Sequence, residues 1–258
     1  SADSDSISVT NNVATQLVVS TPAAGSRAGI AFTTQPVITL KDAYGNTVTT
    51  NGASGATVTA TISSGGALIG SASVAATQGV ATFVNLGIGA TSGNYTITYA
   101  IATPALSDSQ SIAVTYGDAT QLSVSTQPVG GKTGDNLGTQ PVIRVLDAYG
   151  NLVANSTSAV TASMVSPRAG DVLSGTTVSA INGVATFAAL NIVTLPGTSA
   201  LNFASGSLTS VTSSAFTITH ADASRLEITT NVVGGNATGD QLATQPVVEI
   251  RDRFNNLA

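Results

Sequence analysis

Three short segments hold the residues of this chain best suited to chemistry. Asp42-Ala43-Tyr44-Gly45-Asn46 recurs as Asp147-Ala148-Tyr149-Gly150-Asn151 and again, altered, as Asp252-Arg253-Phe254-Asn255-Asn256, at a spacing of 105 residues. An aspartate at the head of such a segment has two uses. Its carboxylate can accept backbone N–H groups two residues on, with Gly and Asn supplying positive φ, which closes a tight turn at a strand end. It can instead ligate calcium, which takes about six to eight oxygens, often from several carboxylates. Each segment offers one aspartate and no acidic partner recurs beside it, so the turn is the simpler reading. Asp118 and Asp222 recur at the junctions between repeats and are the residues that would join an interdomain calcium site.

The remaining reactive side chains point away from catalysis. His220 is the only histidine, and its counterparts in the other repeats are Tyr116 and Asn11. Without a second base or a thiol no nucleophilic triad can be assembled. The carboxylates are too scattered to nominate an acid–base pair. Lys41 aligns with Leu146 and Arg251, which gives a repeated Lys–Asn crosslink no support. No catalytic, cofactor-binding or metal residue is therefore nominated, and the chain is read as a non-enzyme. Tyr44, Tyr149 and Phe254 share one turn position. Each ring is expected to cap its own domain or pack on the linker, the alternative being a sugar-stacking or lattice contact. Sequons at Asn94, Asn155 and Asn236 are about as many as chance gives in a chain with 16 asparagines and about a quarter Ser and Thr.

These residues belong to a repeat of domain size. Thr34-Gln35-Pro36-Val37 returns as Thr139-Gln140-Pro141-Val142 and Thr244-Gln245-Pro246-Val247 at the same 105 spacing, and Gly79-Val80-Ala81-Thr82-Phe83 returns after 104 as Gly183-Val184-Ala185-Thr186-Phe187. The register divides the chain into residues 1–13, the last strand of a preceding repeat (Ile7-Ser8-Val9-Thr10); 14–118 and 119–222, two full repeats; and 223–258, the start of a third. The third has no counterpart to Gly79–Thr115, so the chain is read as a window on a longer polypeptide.

Composition and periodicity predict the elements. Val, Ile and Thr, which pack well on a pleated surface, are abundant, and aromatic residues make up 4%. Val58 to Ile62, Tyr95 to Tyr99 and Ile112 to Thr115 alternate apolar with polar residues, and turn signals come at roughly ten-residue spacing, the pattern of an antiparallel sandwich. Copy one reads as seven or eight short strands, with Leu68 to Val74 as one edge segment. The prediction is all-β: tandem immunoglobulin-like antiparallel β-sandwiches in an extended rod, stiffened by linkers as short as Thr115-Tyr116-Gly117-Asp118.

Charged residues are 8% of the chain and the net charge is −5, with two lysines and six arginines. That balance gives no basic patch for nucleic acid, and no run of about eighteen apolar residues is present to cross a membrane. Cysteine is absent, which together with acidity and Ser/Thr richness favours an extracellular, cell-surface location.

The motif set resembles the bacterial immunoglobulin-like repeats of the invasin/intimin-like group, and similar repeats in surface-layer proteins and giant adhesins. The residues that carry the resemblance are Thr139 to Val142, Val145 to Val153, Gly183 to Phe187 with Leu190, and Ala215 to Ile218. The resemblance implies an extracellular β-sandwich scaffold without catalysis, and many adhesin repeats of similar design carry interdomain calcium. The expected role is a structural segment of a surface layer or surface filament. Its partners would be copies of itself, with any cell-envelope anchor outside this segment. The alternatives are the stalk of an adhesin whose tip lies elsewhere, or a segment of a phage or virion fibre.

Overall fold

The computed structural model describes residues 12–50, 54–235, 237–239 and 241–258; the Ile7–Thr10 strand and the Asn236 sequon lie outside them. All regular elements among the described residues are strands, and their pairings are antiparallel. Two units are present. The first comprises Ser1–Asp118 with Asp147–Asn151, and the second Ala119–Leu146 with Leu152–Ala258. The turn at the head of the second sequence repeat is thus built into the first unit.

In the first unit the strands are β1 (Gln16–Thr21), β2 (Ile30–Ala31), β3 (Val37–Lys41), β4 (Thr57–Ile62), β5 (Gly66–Ile69), β6 (Ser73–Ala75), β7 (Val80–Thr82), β8 (Gly87–Ala90), β9 (Gly93–Ile101) and β10 (Leu106–Val114). They form sheets ordered β1-β3-β7, β10-β9-β4-β6 and β2-β8-β5. The count exceeds the seven or eight expected for two local reasons. Gly70, at φ +77°, breaks the Leu68–Val74 segment into β5 and β6, which lie at the edges of different sheets. Gly87-Ile88-Gly89-Ala90 pairs as a strand although its glycines hide any alternation. The alternating strands behave as read: Val58, Ala60, Ile97, Tyr99, Ile112 and Val114 point into one core with Ile38, Leu40, Phe83 and Leu86, and Thr82 points out.

The two repeated motifs that follow no turn logic serve this core. Gln35 uses its amide as a surrogate strand: Nε2 donates to the carbonyls of Phe32 and Leu86, and Oε1 accepts the Leu86 N–H. Gln140 does the same with Leu137 and Leu190. Pro36 offers its carbonyl to the Phe83 N–H at 3.1 Å, and Pro141 offers its own to Phe187 at the same distance. Thr-Gln-Pro-Val and Gly-Val-Ala-Thr-Phe are therefore two halves of one bonding pattern.

The second unit repeats this plan. Ala119–Thr126, Val142–Asp147 and Val184–Thr186 form one sheet, and Thr177–Ser179, Ala159–Met164, Leu201–Ala204 and Val211–Thr212 another. Where β9 and β10 run unbroken for 9 residues each, the second unit has two shorter pairs, Gly197–Ser199 with Phe216–Ile218 and Leu201–Ala204 with Val211–Thr212. Ala223–Thr230 and Val247–Asp252 pair as a two-stranded sheet.

One core position differs informatively between repeats. Phe83 packs on Tyr99, and Phe187 packs on Phe203, both at 5.5 Å between ring centroids. Tyr99 is fully buried, its hydroxyl has no hydrogen-bond partner, and burial pushes its pKa above the ordinary tyrosine value. A buried unpaired hydroxyl destabilises, and the second repeat avoids it. Tyr99→Phe should therefore raise stability by about 1 kcal/mol, read as a higher thermal midpoint. A lower midpoint would mean that the hydroxyl is bonded.

Candidate functional site

The geometry that recurs most faithfully surrounds the three turn aspartates. Asp42, Asp147 and Asp252 are each at most 1% exposed. In every copy the Asp backbone N–H donates to the carbonyl of the Asn four residues on, at 2.9–3.0 Å, and the residue three on donates to the Asp carbonyl. That third residue needs a left-handed backbone: Gly45 and Gly150 have φ +83° and +82°, and Asn255 takes φ +71° in the altered copy. Asn tolerates this region better than other non-glycine residues, so the third turn closes like the other two.

The carboxylates do more than close the turn. Asp42 Oδ1 accepts the N–H groups of Tyr44 and Asn46, Asp147 Oδ1 those of Tyr149 and Asn151, and Asp252 Oδ1 those of Phe254 and Asn256, all at 2.8–2.9 Å. Each Oδ2 accepts the amide of the same Asn. Each Oδ2 also takes a backbone N–H from far upstream: Asn12 at 3.3 Å, Gly117 at 2.7 Å and Ala221 at 2.8 Å. Those donors lie 30 or 31 residues before the aspartate, in the segment that leads into each repeat. The aspartate is a clasp that fixes the incoming linker to the turn.

Two further repeated contacts accompany the clasp. Arg27 pairs with Asp118 at 2.8 Å, and Lys132, its counterpart 105 residues on, pairs with Asp222 at 2.5 Å. The aromatic residue of each later turn covers a glycine. A Cβ at Gly29 would lie 2.7 Å from Tyr149 Cε2, one at Gly89 2.4 Å from its hydroxyl, and one at Gly134 2.3 Å from Phe254 Cζ. Sequence led to the expectation that each ring caps its own domain or packs on the linker; Tyr149 and Phe254 lie against glycines of the preceding repeat. Tyr44 has no such seat among the described residues and is 84% exposed.

Asp118 and Asp222, the residues that would join an interdomain calcium site, are placed beside cations here. The turn carboxylates face N–H donors. Among the described residues no cluster of three or more His, Cys, Asp or Glu side chains gathers. His220 turns Nδ1 to the Ala221 carbonyl at 2.8 Å. Sequence reasoning placed the turns but missed the upstream N–H, since backbone donors leave no residue signature. The Arg27/Lys132 pair had a signal, a cation recurring at the repeat spacing.

Electrostatics matches the donor count. Burial acts to raise the turn carboxyls, but the hydrogen bonds together outweigh it, holding Asp42 and Asp147 below the ordinary value and Asp252 at about 2. The Lys132 ammonium, through its hydrogen bond and charge, lowers Asp222, and Asp222 raises Lys132 in return.

No family model matches the chain, and no curated protein matches it. Solved structures similar to it include the S-layer protein SbsC (15% identity, TM-score 0.32, covering 96% of this chain and 32% of that one). Invasin, a bacterial integrin-binding protein, is another (14%, TM-score 0.34, 94% and 47%), as is a beta-glycosidase from Bacteroides vulgatus (11%, TM-score 0.33, 78% and 24%). The chain spans about a third of the length of the S-layer protein.

The clasp predicts an acid limit. A carboxyl with a depressed folded pKa contributes stability that is complete above its unfolded value, about 3.9, and is lost as pH falls through the folded value. The thermal midpoint should be level down to about pH 5 and fall between about pH 4 and 2. Asp147→Asn should cost about 2 kcal/mol at neutral pH and shrink that acid-dependent fall. Equal acid sensitivity in variant and parent, measured by thermal melts across pH, would contradict this assignment.

Proposed function

We propose that this chain is a non-catalytic, repeated structural segment of an extracellular surface assembly, a surface layer or a surface filament. The observation that carries the reading is the clasp itself: one buried carboxylate, at a fixed repeat spacing, binding the linker that enters its own repeat. An enzyme concentrates its polar machinery in one cleft. This chain spends its buried carboxylates identically in three successive turns, where their product is positional order.

Composition supports the location. Cysteine is absent, lysine is reduced to two residues, and the balance is acidic. The outward faces of the sheets are hydroxyl-rich: Thr57, Thr59 and Thr61 on β4 face solvent, as do Ser107, Ser109 and Ser111 on β10, on the other side of β9. Contacts between copies of such a chain would rest on hydroxyl and backbone hydrogen bonds and small apolar contacts, with few ion pairs to screen. Repeats 14–118 and 119–222 would be the full structural modules and 223–258 the start of another. Envelope anchoring would fall to other parts of the polypeptide.

Electron microscopy of the native full-length protein tests this. Ordered sheets or filaments that persist in moderate salt are expected. Separate particles under every ionic condition would overturn the assembly and favour the adhesin stalk; dissolution by moderate salt would contradict the hydroxyl-based contacts.

A further inference from the structure

Each full repeat ties its first segment to its last, and the two run in the same direction. In the first repeat the Val19 N–H donates to Asp108 Oδ2 at 2.8 Å. The Ala23 N–H donates to Gln110 Oε1 at 2.8 Å, and Gln110 Nε2 donates back to the Ala23 carbonyl at 3.0 Å. Further on, the Thr115 N–H donates to the Ser26 carbonyl at 3.2 Å and the Ala28 N–H to the Thr115 carbonyl at 2.9 Å, a parallel bridge. Arg27 then meets Asp118. Residue numbers rise together along both sides of this ladder, from Val19 beside Asp108 to Arg27 beside Asp118.

The second repeat builds the same ladder from other groups. The Thr209 N–H donates to the Thr120 carbonyl at 2.9 Å and the Leu122 N–H to the Thr209 carbonyl at 3.0 Å, backbone rungs where the first repeat uses side chains. The Ser214 N–H donates to Gln127 Oε1 at 2.9 Å, so the glutamine now stands on the first segment instead of the last. The Thr219 N–H donates to the Gly131 carbonyl at 2.9 Å and the Thr133 N–H to the Thr219 carbonyl at 2.8 Å, and Lys132 meets Asp222. The Gln121–Thr209 and Lys132–Thr219 bridges are both parallel. The residues differ between repeats, while the direction and order of the rungs are kept.

Direction decides how this seam meets tension. A pulled chain enters each repeat at the start of its first strand and leaves past the end of its last. With those segments parallel, entry and exit lie at opposite ends of the ladder. Tension then runs along the ladder and shears its rungs together. Were the segments antiparallel, entry and exit would share one end and the rungs would open in turn. Rungs that must fail together raise the barrier to unfolding, and that barrier sets the rate at which a protein yields under load. The recurring ion pairs fit the same account. An exposed ion pair contributes little at equilibrium, but Arg27–Asp118 and Lys132–Asp222 are the last rungs, immediately before Ala119 and Ala223.

We propose that each full repeat is a shear clamp whose function is to carry tension along the polypeptide without unfolding. The proposal rests on pairing inside each repeat and holds whether copies of the chain form a layer, a filament or neither. The chain has no cysteine, so introduced cysteine pairs define the loading points for single-molecule force spectroscopy of the full chain. Gln16→Cys with Tyr116→Cys loads the first repeat from opposite ends of the ladder, and Gln16→Cys with Ser107→Cys loads it from one end. The opposite-end pair should need at least about twice the force at equal loading rate, because its rungs fail together. Gln110→Ala removes the Ala23 rung and should speed unfolding under opposite-end load about fivefold. Val58→Ala, a core truncation on β4, should lower the thermal midpoint at least as much and leave the opposite-end force unchanged. Equal forces for the two loading pairs, or an equal loss of force in Gln110→Ala and Val58→Ala, would overturn the proposal. The first comparison removes no rung, so it decides the matter even where Gln110→Ala does not fold.

Discussion

A backbone that passes from one β-domain to the next must expose or satisfy its N–H groups, and the rest of this structure depends on how one of them is satisfied. Gly117 and Ala221 give their N–H groups to a buried carboxylate about 30 residues downstream. A charged acceptor is stronger than a neutral carbonyl, and a buried charge is tolerated only when its lone pairs are filled. Asp147 and Asp252 meet that condition with two turn N–H groups, one asparagine amide and the linker donor. Turn and linker therefore stand or fall together: without the turn the carboxylate is unfilled, and without the carboxylate the linker N–H is stranded.

The same logic explains which features of the repeat are strict and which drift. The Asp and the final Asn keep their identity in all three turns because both are part of the clasp. The glycine can become Asn255 because only its backbone conformation matters. In the second and third turns the aromatic position accepts Tyr149 or Phe254 because it supplies a ring over glycine. The cation can be Arg27 or Lys132, as an exposed ion pair contributes little and is tolerant of geometry.

Much of the fold was legible in the sequence. Strict alternation at Val58 to Ile62 and Tyr95 to Tyr99 placed those strands and their buried faces, because a pleated strand leaves a period of two in the side chains. Gly87 to Ala90 escaped, since its glycines carry no such record. The turns were legible from Asp, Gly and Asn. Their partners were not: a backbone N–H at Gly117 or Ala221 looks the same in any sequence, and Gln35 reads as a surface residue until its amide is seen pairing with Leu86. The carboxylates of Asp118 and Asp222 were legible as recurring residues, and the cations beside them, Arg27 and Lys132, recur at the same spacing.

Native-state hydrogen exchange at the Gly117 and Ala221 amides tests the central claim most directly. If the clasp holds, both exchange as slowly as core amides such as that of Val145, which bonds the Gly183 carbonyl at 2.8 Å. Exchange at the rate of an unstructured peptide would show the linker free of the aspartate, and the account built on the clasp would fail with it.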